Sequence, residues 1–162
     1  EPHRLETLKT IGDAYLCAGG LPEPNRTHTI DACLAALEIQ SYLAASNRQR
    51  EKLRMQPWKV RIGINTGPVV AGLVGKRRFA FDIWGDSVNV AQRLQAAAEP
   101  GRINIAASTS HYVGKLFDLE PRGTIDVKNK PPLEMFFLNR IKPEYAADAD
   151  GVTPNAAFWQ AV

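Results

Sequence analysis

An α+β sandwich with a mainly antiparallel sheet is the predicted fold class, and three observations predict it. Short runs in which apolar and polar residues alternate recur along the chain, as from Trp58 to Ile64. Between such runs lie two longer stretches with apolar residues at helical spacing. The elements succeed one another as strand, strand, helix, strand, strand, helix, strand, which is not the strict alternation that builds a parallel sheet.

Taken in order, Leu5 to Ile11 and Ala14 to Ala18 favour strands, and Gly12-Asp13 between them suits a tight hairpin turn. From Thr29 the spacing of Ile30, Cys33, Leu34 and Leu37 predicts an amphipathic helix that runs to a basic end near Lys52. Trp58, Val60, Ile62 and Ile64 alternate with Lys59, Arg61, Gly63 and Asn65, so a strand buried on one face is expected, with Arg61 pointing away from the core. Thr66-Gly67-Pro68 turns the chain, a Gly-rich apolar stretch runs to Gly75, and Phe79 to Ile83 reads as a further strand. Its Phe79, Phe81 and Ile83 share the face expected to meet the core, and Asp82 takes the other. Asp86 or Ser87 is placed to cap a helix through Val90, Ala91, Leu94 and Ala97, which Pro100-Gly101 stops. Asn89 and Arg93, four apart, share a face of that helix rotated off its apolar stripe. Arg102 to Ala106, Gly123 to Val127 and Leu133 to Leu138 complete the strands, with a short helix around Ser108 to Val113. Residues 1–140 thus read as one domain, and 141–162, richer in Ala, Asp, Pro and Gly, as a tail or linker.

The bulk numbers exclude several classes of function. With 162 residues, 44% of them hydrophobic, the chain holds one domain with its own core. A net charge of +3 and a pI near 9.0 suit an anionic ligand, but 20 basic and 17 acidic residues are spread along the whole chain, so nucleic acid is not implied. The two cysteines, Cys17 and Cys33, lack the spacing of a metal knuckle or a disulfide framework, and a reducing, cytoplasmic setting is expected. No apolar run nears the roughly 20 residues that cross a bilayer, so no membrane contact is expected of this segment.

Polar residues fall where turns or an open sheet face are predicted: Lys9 with Asp13, Arg61, Asp82, Asn89 with Arg93, and Lys128 and Lys130 beside a turn. Singly, each is the kind of residue that ordinarily decorates a solvated surface. Their surroundings are more specific. Lys9-Thr10-Ile11-Gly12-Asp13, Arg61-Ile62-Gly63-Ile64-Asn65-Thr66-Gly67, the block from Phe81-Asp82-Ile83-Trp84-Gly85-Asp86 through Val88-Asn89-Val90-Ala91-Gln92-Arg93, and Arg122-Gly123 with Val127-Lys128 occur in order over Leu5 to Leu138. In these four motifs and their spacing the chain resembles the class III nucleotide cyclases, the family of adenylyl and guanylyl cyclases.

The resemblance implies a ferredoxin-like sandwich and a reaction in which the ribose 3′-hydroxyl of a nucleoside triphosphate attacks the α-phosphate, aided by two divalent cations, Mg²⁺ or Mn²⁺. By that likeness Asp13 is a metal ligand, Arg93 stabilises charge developing on the α-phosphate, and Asn89 orients the ribose. Arg61 and Lys128 correspond to residues that hold the β- and γ-phosphates. Lys9 and Asp82 stand where the family reads the base. A lysine donates and an aspartate accepts, which matches adenine and opposes guanine, and each buried mismatch costs roughly 1 to 3 kcal/mol. Guanylyl members usually carry Glu and a small Cys or Ser at these two positions, so ATP is the expected substrate.

In this family one partner supplies the metal aspartates and an arginine like Arg61, and the other supplies the base, ribose and transition-state groups. This chain carries both sets, so a homodimer with two composite sites is expected. The family also begins with a D-I-x-G-F strand bearing another metal aspartate, followed by a helix. Neither precedes Lys9 in this chain, so the fragment alone is expected to be inactive, and a sensor domain is expected upstream. Asn129 and Pro131 replace glycines of the usual V-K-G-K-G turn. Three rival readings are a guanylyl cyclase, a cyclase-like domain that only dimerises and regulates, and an RNA-binding sheet. The last requires aromatics exposed on adjacent strands.

Overall fold

The computed structural model describes residues 3–76, 79–126 and 131–162. Strands β1 (Leu5–Ile11) and β2 (Ala14–Gly19) form the opening hairpin, with Gly12 in the left-handed region at its tip. Helix α1 (His28–Lys52) follows, then β3 (Ile62–Ile64), a second hairpin of β4 (Val70–Val74) and β5 (Ala80–Trp84), and helix α2 (Asp86–Ala97). Strand β6 (Ile103–Ala106), helix α3 (Ala107–Val113), and strands β7 (Phe117–Ile125) and β8 (Leu133–Ile141) complete the domain. The fold is α+β, as expected. A four-stranded sheet runs β3-β6-β8-β7, with β3 parallel to β6 and the other two ladders antiparallel; each hairpin is a sheet of its own.

Side-chain alternation on β3 and β6 puts the two long helices on opposite faces of the four-stranded sheet. Ile62, Ile64, Ile103 and Ile105 pack with Ile30, Cys33, Leu34 and Leu37 of α1. Between them in sequence, Gly63 meets the backbone of α2, and Asn104 and Ala106 face the same helix, whose Val90 and Leu94 are buried. The Cys33 thiol is wholly enclosed, and burial pushes its pKa far above the ordinary range.

Several expectations are corrected. Trp58 to Arg61 is not strand: the Trp58 backbone is taken by the Asn47 side chain, which accepts from its N–H at 2.7 Å and donates to its carbonyl at 2.9 Å. The expected core face of β5 holds only in part, because its hairpin stands apart from the main sheet. Ile83 is buried, Phe81 is half-buried and Phe79 is 72% exposed. Neither Asp86 nor Ser87 caps α2. Gly85, at φ 135°, is the cap residue, and the Ser87 hydroxyl donates to the Pro68 carbonyl at 2.7 Å. Strand β7 starts at Phe117, not Gly123, because Pro121 and Gly123 sit in an irregular stretch of an edge strand where turn residues are tolerated.

The stretch expected to be a tail packs on the domain. Ile141 accepts its place through a bond from its N–H to the Gly151 carbonyl, and Asn155 caps helix α4 (Ala156–Ala161) by accepting from the Phe158 N–H at 3.0 Å. Phe158 is fully buried, with its ring edge-on to Phe117 at 5.7 Å between centroids. Tyr145, Val152 and Ala161 pack beside it against the same core.

Candidate active site

Lys9 and Asp82 lie 73 residues apart in the chain, on β1 and β5, and the fold joins them. The Lys9 ammonium donates to Asp82 Oδ2 at 2.6 Å. A register shift between Thr7 and Lys9 reorients β1 at this point. The other carboxylate oxygen of Asp82 accepts from the Ile83 N–H at 2.8 Å. The Lys9 hydrogen bond, then that amide, hold the Asp82 carboxyl below its ordinary pKa. Gly72 is the cross-strand neighbour of Asp82, and a side chain there would meet nothing within 4 Å, so the hairpin is open beside the pair.

Asn89 and Arg93 stand one turn apart on the exposed side of α2, and among the described residues neither side chain has a hydrogen-bonding or ionic partner. Their helix is held closely from behind. A Cβ on Gly63 would lie 2.2 Å from the Gln95 nitrogen and 2.6 Å from the Ala91 carbonyl oxygen, so only glycine allows β3 and α2 this near. At the start of the helix Asn65 donates to the Ser87 carbonyl at 3.1 Å, and Ser108 in turn donates to Asn65 at 3.0 Å.

Arg61 is exposed, as expected, and its guanidinium donates to the Ala96 carbonyl near the end of α2 at 3.2 Å. Asp13 is exposed at the tip of the first hairpin. Its carboxylate offers the oxygen chemistry that Mg²⁺ or Mn²⁺ takes, but it is one ligand and not a site. Among the described residues no three His, Cys, Asp or Glu side chains gather to hold a metal ion. Lys128 lies outside the described residues, as do Val127 and Lys130.

A cleft of about 520 Å³ opens where Asn65, Gly67, Trp84, Ser87, Val90 and Ser108 meet, and none of Lys9, Asp13, Arg61, Asp82, Asn89 or Arg93 lines it. The structure therefore joins Lys9 to Asp82 and sets Asn89 and Arg93 side by side on one exposed helix face, and neither pair lines the cleft. Asn65 and Ser108 escaped the sequence reading, since a side chain that steadies a helix end leaves no mark on hydrophobic periodicity.

This fold is that of a nucleotide cyclase domain: residues 1–140 match the adenylate and guanylate cyclase catalytic domain, and the chain belongs to that family. It is 38% identical over 148 residues to an adenylate cyclase of Mycobacterium tuberculosis, covering 91% of this chain and 32% of that protein. With guanylate cyclase 2G of Rattus norvegicus it shares 36% identity over 140 residues, covering 85% of this chain and 13% of the rat protein. The guanylate cyclase domain of RhGC from Catenaria anguillulae, solved in complex with GTP, superposes with a TM-score of 0.75 at 29% identity, covering 87% of this chain and 75% of that one. The chain thus spans about a third of the length of the mycobacterial relative. Among the described residues no helix is long and apolar enough to cross a membrane.

Proposed function

We propose that this domain closes ATP into 3′,5′-cyclic AMP and pyrophosphate, at sites shared between two copies of the chain, as part of a cytoplasmic signalling protein with a sensor domain elsewhere in its sequence. The observation that carries this reading is the pairing of Lys9 with Asp82. A donor and an acceptor held 2.6 Å apart beside an open hairpin are polarised to meet N1 and the amino group of adenine. Guanine would bring donor to donor and acceptor to acceptor.

Asn89 holds the ribose so that its 3′-hydroxyl faces the α-phosphate, and the gain is one of orientation. Arg93, fixed in charge and one turn further along the same face, stabilises the negative charge that builds on the α-phosphate oxygens as the pyrophosphate leaves. Arg61 retains donors beyond the one spent on Ala96, and with Lys128 it holds the β- and γ-phosphates. A divalent cation bound in part by Asp13 would neutralise phosphate charge. Among the described residues Lys9, Asp13, Arg61, Asp82, Asn89 and Arg93 line no common cleft in one copy, which supports a twofold arrangement in which Asp13 and Arg61 of one copy serve the Lys9, Asp82, Asn89 and Arg93 of the other. The 36% identity to a guanylate cyclase favours GTP as the second reading.

One experiment on the full-length protein tests both parts. Asp13→Ala and Arg93→Ala are each expected to lower cyclic AMP formation by at least about a hundredfold. Mixing the two variants should restore one working site per mixed dimer. A mixture as inactive as its components defeats the shared site, and faster turnover of GTP than of ATP defeats the assignment of the base.

A further inference from the structure

An α-helix leaves its last four carbonyls without intrahelical donors, and α2 ends without the usual remedies. Its last turn holds no basic residue, and the cap residue Ala98 is extended where a left-handed glycine is common. All four carbonyls are nonetheless satisfied. Gln95 takes the Ala98 N–H at 3.2 Å, and the other three take side chains from three separate segments. Asn104 on β6 donates to Leu94 at 2.9 Å, Arg61 before β3 donates to Ala96 at 3.2 Å, and Arg122 on β7 donates to Ala97 at 2.8 Å.

Two of these donors sit at a cost to the fold. Asn104 is fully buried and its Oδ1 has no partner among the described residues. Arg122 lies with its guanidinium 4.3 Å from the Phe137 ring centroid and 3.8 Å from Glu99, and its enclosed Nε has no partner among the described residues. Unpaired buried polar atoms are unfavourable, so an apolar residue would serve better at either place if filling space were the only task. Gly63 sets how near α2 lies to β3, Val90 and Leu94 seat its apolar face, and Asn65 holds its start, so the three side-chain donors are what tie down its last turn.

We propose that Asn104 and Arg122 are positioning residues for the cyclase reaction: with Arg61 they fix the axial setting of α2, and so the points at which Asn89 and Arg93 meet the nucleotide. Asn104 grips the carbonyl of Leu94, the residue next to Arg93, and Arg122 grips the end of the same turn. This rests on the roles given to Asn89 and Arg93 above. A shift of about 1 Å in those side chains lowers the rate of the chemical step far more than it weakens binding.

Steady-state kinetics and hydrogen exchange on the full-length protein test it. Arg122→Ala should lower kcat about tenfold to a hundredfold while KM stays within about threefold. Arg122→Lys, which keeps one charged donor, should regain most of kcat. Asn104→Leu, close in volume, should act like Arg122→Ala, and provides a second reading where the arginine variant fails to fold. If kcat holds while only the melting temperature falls, the residues merely stabilise, and the proposal is overturned. A raised KM at unchanged kcat means direct contact with nucleotide and overturns it equally. Should the unaltered protein make no cyclic nucleotide from ATP or GTP, the functional reading fails by itself. Exchange then decides the anchoring: faster exchange in the last turn of α2 in Arg122→Ala supports it, and an unchanged rate refutes it.

Discussion

Asp82 accepts two hydrogen bonds, one from a lysine on another hairpin and one from the amide of its own neighbour. Both favour the ionised carboxylate, and the lysine contributes more, so Lys9→Ala should let the Asp82 pKa rise toward its ordinary value. The sign follows from linkage: a depressed folded pKa adds stability above the unfolded value near 3.8, and that stability is lost as pH falls through the lower folded value. At neutral pH that contribution is fully present, so Lys9→Ala should lower stability there, and the two proteins should converge as pH falls below the folded value. A carboxyl-carbon NMR titration in both proteins measures this, and equal midpoints would contradict it. At this scale dense motifs singled out Lys9 and Asp82 in the sequence, and the fold brings that pair together. Asn104 and Arg122 were not legible as helix anchors, because a donor aimed at a distant carbonyl obeys no spacing rule.

Gly63 and Gly72 look alike in sequence, each a glycine within a short strand, yet they do opposite things. A methyl group on Gly63 would run into the backbone of α2, which cannot swing aside, whereas one on Gly72 would meet nothing within 4 Å. Gly63→Ala is expected to cost about 1 to 3 kcal/mol and to lower the melting temperature, with Gly72→Ala nearly neutral. Thermal unfolding of the two variants side by side checks this, and equal losses would mean that β3 and α2 part easily. The first hairpin and the helices were read well from turn residues and periodicity, but β4, the first arm of the second hairpin, was read only as a Gly-rich apolar stretch. Strand limits were read less well, and for local reasons. Asn47 takes the Trp58 backbone out of reach of a ladder, and Pro121 with Gly123 looks like the end of a strand while lying inside β7.

Across the whole molecule, the sheet carries α1 on one face and α2 on the other, and the chain after β8 closes the α1 side. Phe158 enters that layer from the last turns of the sequence. Phe158→Ala should therefore destabilise the domain by about 3 to 5 kcal/mol, the loss expected for a large ring removed from a core. Chemical denaturation measures it, and a change within about 0.5 kcal/mol, typical of surface positions, would show that residues 141–162 merely rest on the domain. Composition hid this contact, since three aromatic rings among many small and polar residues barely alter an average, and only one of them is fully buried.

Cys33 shares that layer, with its sulfur shut away from water and its proton held tightly. Thiolate, not thiol, is the species that attacks electrophiles, so alkylating reagents have nothing to react with there while the layer stays shut. Where the reagent is concentrated enough to outrun reclosing, the rate at which it modifies this sulfur is the rate at which the layer opens, and the domain carries its own clock for breathing.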